Sequence, residues 1–208
     1  AVWLSDANAT FNNCSFKSNK AGPTGDGGAI KARDTTVFLN SCKFSQNFGP
    51  YGGGAIMHES GRFVANNSNF SSNTNSYFNG GGALFLESLS GEISNCTFYA
   101  NETYANNYGG AIKLINSSPS FSDSFFTENK SHLNSAGGLY IDDDSNPSLI
   151  NNEFRGNYAQ SWGGGIFNES SDFTISGGLF SNNLAQYGGA IATMNTQKTT
   201  FQNIKAFG

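Results

Sequence analysis

Apolar and polar residues alternate along this chain in short bursts, such as Ile30-x-Ala32 and Leu39-x-x-Cys42-x-Phe44. Such alternation predicts strands of three to five residues with one buried face. No apolar stripe recurs every three or four positions over the length of a helix. Gly pairs and clusters of Asn and Ser separate the bursts and read as turns.

The bursts repeat. A Gly-Gly-small-aliphatic element occurs as Gly27-Gly28-Ala29-Ile30, Gly53-Gly54-Ala55-Ile56, Gly81-Gly82-Ala83-Leu84 and Gly109-Gly110-Ala111-Ile112. Looser copies are Gly137-Gly138-Leu139-Tyr140, Gly163-Gly164-Gly165-Ile166 and Gly188-Gly189-Ala190-Ile191. A Phe-x-x-Asn element alternates with it: Phe16/Asn19, Phe44/Asn47, Phe70/Asn73, Phe98/Asn101, Phe126/Asn129, Phe154/Asn157 and Phe180/Asn183. With the last residue of each Gly-Gly element taken as the aliphatic position, the next Phe follows 14 residues later in every complete copy, and Val2 to Phe16 obeys the same rule. The return from Phe to the aliphatic position varies, so length changes fall between the Asn and the Gly pair. Surface loops tolerate such changes and stacked strands do not.

A period of 25 to 28 residues fits one coil of a β-solenoid, about eight coils in a single domain spanning residues 1–208. Equivalent positions on successive coils then lie about 4.8 Å apart. The seven Phe form one internal stack and the seven Asn a ladder that satisfies buried turn groups. A second partial ladder is expected three residues before the Phe: Asn13, Ser41, Asn67, Asn95, Asp123 and Asn151. The Gly pair supplies positive φ or close backbone approach.

Composition narrows the class. The chain has 28 Asn, 26 Gly and 19 Phe in 208 residues, which disfavours helix. Aromatic residues make up 14%, too many for a disordered chain of this polarity. Only 11 Lys and Arg are present against a formal net charge of -4, so no phosphate-binding surface is expected and nucleic acid is excluded as a partner. No apolar run is long enough for a transmembrane helix. The chain opens at Ala1 with neither an initiator Met nor a charged-then-apolar leader, and is expected to be a mature or excised segment of something longer.

The alternating GGAI-type and Phe-x-x-Asn elements resemble the repeats of the chlamydial polymorphic outer-membrane proteins, over Ala1 to about Ile191. The resemblance implies a right-handed parallel β-helix displayed at a surface, often with an adhesive role. Two features depart from that pattern. No segment reads as a C-terminal translocation barrel, and the last coil places Lys205 where Phe is expected, with Phe207 two residues late.

Cys14, Cys42 and Cys96 share one rung, two residues before the Phe. Cys14 and Cys42 fall on adjacent coils, at a spacing that permits a disulfide. The other reading is that all three are buried free thiols. Of nine Asn-x-Ser/Thr acceptors, Asn101 and Asn129 lie on the internal ladder. Asn8, Asn66, Asn69, Asn116 and Asn168 are expected on outer or corner positions, where a secreted eukaryotic chain would carry glycans. Neither a metal site nor a cofactor is expected, because the Cys lack accompanying His or a second Cys pair.

Catalysis is the competing class. β-Helices host polysaccharide lyases and hydrolases, which need paired carboxylates or a base beside a cation. The acidic candidates are Asp142-Asp143-Asp144 and a line formed by Glu59, Glu87, Asp143 and Glu169, which reads equally as a solvated edge. His58 and Glu59 are consecutive on a strand and point to opposite faces, which is no dyad. No catalytic motif is present, and no catalytic residues are assigned. The expectation is a non-enzymatic extracellular or cell-surface scaffold of adhesin or stalk type. It would bind protein or glycan through loop aromatics Tyr51, Tyr77, Phe78 and Tyr104. Tyr108, Trp162 and Tyr187 occupy one equivalent position and are expected to cap core. The alternative is a filament subunit that binds its own copies end to end through uncapped coils.

Overall fold

The structure, a computed structural model, describes residues 2–78, 80–104, 108–142, 144–196 and 198–208, with Phe78 described by its main chain alone. None of the described residues is helical, and no helix is long and apolar enough to cross a membrane. The strands form three sheets of 13, eight and five strands. A middle coil feeds all three: Ile56–Asn66 enters the first sheet, Asn69–Ser71 the second and Thr74–Phe78 the third. Each pairs in parallel with its counterpart one coil away. The described residues make seven complete coils and part of an eighth.

Register fixes the repeat. The aliphatic column runs Val2, Ile30, Ile56, Leu84, Ile112, Leu139, Ile166, Ile191. The sixth coil therefore corrects the sequence alignment, because Leu139 and not Tyr140 holds the aliphatic position. Its distance to Phe154 exceeds the common spacing by one residue. The extra residue lies between Asp142, paired with Ile115, and Ser145, the counterpart of Ser117 and Ser171. The eighth coil carries a similar insertion, since Met194 pairs with Glu169 whereas Thr199 pairs with Phe173. As a result Ala206, and not Lys205, faces Phe180 in the Phe column, and Phe207 stands beside it on the exposed face.

The core is one continuous interior. Consecutive ring centroids from Phe16 to Phe180 are 4.5 to 5.0 Å apart, with planes 0° to 14° from parallel. The spacing follows the strand repeat, and it falls at the short end of the range in which aromatic pairs attract. Burying each ring is worth ~1.5–3 kcal/mol. Ala29, Ala55, Ala83 and Ala111 face inward beside the stack and are fully buried.

Each coil turns at three corners, and each corner carries a left-handed residue. In the second coil these are Asp34 (φ 51°), Ser41 (φ 54°) and Gln46 (φ 57°). Short polar residues tolerate this region best. At the second and third corners of the inner coils the residue after the corner turns inward and hydrogen-bonds its neighbouring coil. The supposed second ladder is corrected accordingly. Asn13, Ser41, Asn67, Asn95, Asp123 and Asn151 are the exposed left-handed corners themselves. The bonding rung is one residue on: Ser68 Oγ accepts from Cys42 N at 3.0 Å, Ser124 Oγ from Cys96 N at 3.1 Å, and Asn152 Oδ1 from Ser124 N at 3.0 Å.

At the third corner the inward residue is the ladder Asn. The Asn19 backbone N–H donates to Asn47 Oδ1, that of Asn47 to Asn73 Oδ1, and that of Asn157 to Asn183 Oδ1, each at 3.0 Å. The side-chain amides double these bonds at 2.9 to 3.0 Å. The ladder runs from Asn19 to Asn183, and its two ends differ from the middle in exposure. Asn47 and Asn157 are buried like the rungs between them, whereas Asn183, on the last rung, is only half-buried, as is Asn19 on the first. Asn183 borders a shallow surface depression beside Ala206 and Phe207.

The Gly pair has two distinct roles. The first member turns the chain at positive φ at Gly27, Gly109 (φ 74°), Gly163 and Gly188; before the Gly53-Gly54 pair Gly52 (φ 71°) does this and in the sixth coil Ala136 (φ 60°), one place ahead of the pair read from the sequence. The second forms a column of close backbone approach. A Cβ on Gly54 would sit 2.0 Å from the Gly82 carbonyl oxygen, and one on Gly82 would sit 1.9 Å from that of Gly110.

A smaller apolar cluster lies outside the first sheet. Tyr140, Phe167, Ala136 and Ala192 are buried there, with Tyr108 and Trp162 packed against them. Tyr108 stacks on Tyr140 at 4.4 Å and Trp162 on Tyr187 at 4.3 Å. These loop aromatics thus cover an outer cluster rather than the interior, and Tyr187 stays about half exposed. The buried Lys113 ammonium lies among Phe85, Tyr108 and Tyr140, 5.3 to 5.8 Å from each ring centre.

Candidate functional site at the aromatic edge

The third sheet is narrow, and the variable loops leave from its end. Its inward residues Asn75, Thr103, Ser131 and Ala159 are buried. Its outward column is Phe48, Thr74, Glu102, Lys130 and Tyr158. Loop aromatics lie alongside. Tyr51 and Tyr77, one coil apart, stack with centroids 6.0 Å apart and planes 16° from parallel. Phe78 pairs with Tyr51 through the main chain, and its side chain lies outside the described residues. Tyr104 stacks on His132 at 4.4 Å, again one coil apart. Tyr77 and Tyr104 are both exposed.

Glu102 organises the middle of this edge. Tyr104 Oη donates to its Oε2 at 2.6 Å, and His132 Nε2 lies 3.2 Å from the same oxygen. Lys130 Nζ is 3.9 Å from the other oxygen. Partial burial pulls the Glu102 carboxyl up, but hydrogen bonds from Tyr104 and His132 and the charges of His132 and Lys130 outweigh it and hold the group below the usual carboxylate range. The bond to Glu102, with burial and the adjacent negative charge, pushes the Tyr104 phenol up to about 12. A phenol so held is a donor rather than a base. The Glu102 carboxylate thus fixes the orientation of the Tyr104 and His132 rings.

Toward the first coil the edge opens into a concavity of about 490 Å³ against Lys20, Pro23, Phe48, Pro50 and Tyr77. Lys20 Nζ lies 4.9 Å from the Phe48 ring centre. The sequence reading does not single out Lys20, Phe48, Glu102 or His132 as contacts. The signal that finds the stacked pairs is one coil of spacing, which places Tyr104 on His132 and Tyr51 on Tyr77.

The other candidates are placed as follows. Asn47, Asn157 and Asn183 send an amide hydrogen to the carbonyls of Phe16, Phe126 and Phe154, at 3.0, 2.8 and 2.8 Å, so they belong to the frame and not to the contact edge. Cys14 and Cys42 occupy adjacent rungs and all three cysteines carry free thiols, Cys42 and Cys96 buried and Cys14 half-buried. The Cys42 sulfur lies 3.3 Å from the Phe11 carbonyl and the Cys96 sulfur 3.4 Å from that of Ala65. Asn8 and Asn116 are exposed, and Asn66 and Asn69 half-buried. Asn168 is a correction: it shares the inward column of His58 and Leu86, is fully buried, and donates to the Ser171 carbonyl at 2.5 Å, so a glycan is sterically excluded. The acidic line is also corrected. Asp142 pairs with Ile115, which pairs with Glu87, so Asp142 and not Asp143 belongs to it and Ile115 interrupts it; Asp143 lies outside the described residues. Glu59 in this line meets Arg33 at 3.4 Å and Glu169 accepts from Tyr140 Oη at 2.7 Å. Among the described residues no group of three or more His, Cys, Asp or Glu could hold a metal ion.

The family model described as right handed beta helix region matches residues 1–167 and, in a second alignment, residues 53–208. No curated protein and no solved structure matches the chain at a significant level. The two alignments together run the whole length over which the aliphatic, Phe and Asn columns repeat, and the chain belongs to the right-handed β-helix family.

Proposed function

We propose that this chain is a non-enzymatic extracellular or cell-surface β-solenoid that acts as an adhesin- or stalk-like display scaffold. The observation that carries the reading is the division of labour within each coil. Columns of Phe, Asn and Gly hold the stack in fixed register, while most length changes, apart from the single-residue insertions of the sixth and eighth coils, and the exposed aromatic stacks collect on one edge at Tyr51, Tyr77, Tyr104 and His132. Exposed aromatic rings with polar tips suit contact with protein or glycan. The resemblance of the GGAI and Phe-x-x-Asn repeats to chlamydial polymorphic outer-membrane proteins is in keeping with surface display.

Beads coated with the purified protein test this. They are expected to adhere to cells or to an extracellular polysaccharide, and a Tyr77→Ala/Tyr104→Ala double variant is expected to adhere much less. Equal adhesion by both coatings overturns the role of the edge. Long unbranched fibres in negative-stain micrographs of the isolated protein would replace display by a filament, and turnover of a polysaccharide would replace it by an enzyme.

A further inference from the structure

The concavity at the start of the aromatic edge has a composition unlike the rest of it. Its walls are flat and rigid: the Phe48 ring, two prolines, Pro23 and Pro50, and the Tyr77 ring, which is 51% exposed. Proline offers no N–H, so an extended peptide laid here would lack donors at two positions. The strand edge beneath is already in use, because Lys20 bridges to Phe48 and Ala21 N donates to the Phe48 carbonyl at 3.0 Å. The cavity is open and of the size that holds one or two sugar rings, within the range of small-ligand sites.

One charge stands at its mouth. Lys20 is exposed and held against the Phe48 face, 4.9 Å from the ring centre. Among the described residues no carboxylate forms an ion pair with Lys20, nor with Lys17, Lys43, Lys198 or Lys205, but of these five only Lys20 stands over an aromatic ring. In a chain of net charge -4 this is a local cation beside apolar walls.

We infer that this concavity binds an acidic glycan, one pyranose ring lying against Tyr77 and its carboxylate or sulfate on Lys20. The inference rests on the display reading and names the ligand class of that edge. A pyranose has an apolar C–H face to set on a flat ring and hydroxyls left to water on the open side. The anion selects for the uncompensated ammonium, at a strength that salt will screen.

Titration calorimetry with three hexasaccharides tests it: a uronate chain, a sulfated glycosaminoglycan and an uncharged β-1,4-glucan. At least one acidic hexamer is expected to bind, about tenfold or more tighter than the glucan. Which acidic hexamer binds distinguishes carboxylate from sulfate. Lys20→Gln is expected to remove that preference and most of the salt dependence, and Tyr77→Ala to weaken binding about tenfold. Lys43→Gln makes the same charge change on the second sheet and leaves binding unchanged. All three variants keep the wild-type melting temperature, since each side chain is at the surface. Equal binding of the glucan, or an unaltered Lys20→Gln variant, overturns the inference. If no hexamer binds while coated beads still adhere, this inference fails and the display reading stands. If acidic hexamers bind but beads do not adhere, the reverse holds.

Discussion

Asn129 Oδ1 accepts two hydrogen bonds from Asn101 one coil below, from its backbone N–H and from its side-chain amide, each at 3.0 Å. Asn101 repeats the arrangement on Asn73 and also sends its remaining amide hydrogen to the Phe70 carbonyl at 2.9 Å. Each inner ladder Asn thus ties the third corner of one coil to the next and leaves no polar group of its side chain unmatched. Asn101→Ala would orphan a buried N–H, a buried amide hydrogen and a buried carbonyl. At ~1–3 kcal/mol for each such group the loss should reach at least ~3 kcal/mol. Asn19 is only half-buried at the first rung, and Asn19→Ala should cost ~1 kcal/mol. Urea unfolding of both variants gives the comparison, and equal losses would mean that the ladder does not bind the coils together.

The repeat was legible because stacking allows only one kind of residue in some columns. A one-residue slip in the Phe or Asn column would break a ring contact or three hydrogen bonds, so those residues recur in phase from Phe16 to Phe180. The sixth coil was misaligned for a physical reason. The outward column of the first sheet contains Met57, Phe85, Tyr140 and Phe167, all buried under returning loops. With apolar residues on both faces, alternation no longer says which is inside, and Tyr140 happened to keep the common spacing that Leu139 breaks. His58 faces the core and Glu59 the exterior, as alternation requires, but nothing in the pattern told which face was which. The edge cluster of Glu102, Tyr104 and His132 needed coil arithmetic applied to loop residues, where length variation hides it.

The glycine column gives a sharper test of packing than the aromatic one. A Cβ at Gly54 would meet the Gly82 oxygen at 2.0 Å and Thr74 N at 2.7 Å, both backbone atoms that move only if the coils separate. Gly54→Ala should therefore prevent stable folding or lower the melting temperature severely. A Cβ at Gly22 meets nothing within 4 Å. Gly22→Ala should stay within ~0.5 kcal/mol of wild type, as surface changes do. A Gly54→Ala protein that melts like wild type would show that the coils do not approach this closely.

The three cysteines should differ in reactivity despite their common rung. Burial pushes the Cys96 thiol up to about 11 and raises that of Cys42. At pH 8 a thiol near 11 is ionised about one part in a thousand, and the thiolate is the reactive form. Cys14, at the first rung, is half-buried. Alkylation of the native protein followed by peptide mass analysis should mark Cys14 first, with Cys42 and Cys96 labelled only after unfolding. Rapid native labelling of Cys96 would mean that the middle coils open readily.

His58 should make stability depend on pH. It stands in the inward column between Ala32 and Leu86, fully buried, with Nε2 3.2 Å from Thr35 Oγ1 and 3.3 Å from the Thr35 carbonyl, while Nδ1 has no partner. Desolvation lowers its pKa from 6.5, against a smaller opposing pull from the Thr35 and Ser60 backbones. Below the unfolded value of about 6.5 the unfolded chain takes up a proton that the folded chain resists. Stability contributed by neutral His58 is therefore whole above that pH and falls as the pH drops toward the folded value. In His58→Leu/Thr35→Val the column becomes apolar from Ala32 to Ile141, and neither a lone hydroxyl nor a lone ring nitrogen remains there. The melting temperature of wild type should fall further between pH 7 and pH 5 than that of the double variant, with His132 and the carboxylates common to both. Parallel curves would show that His58 takes up its proton in the folded chain as easily as in the unfolded one, which its dry surroundings forbid.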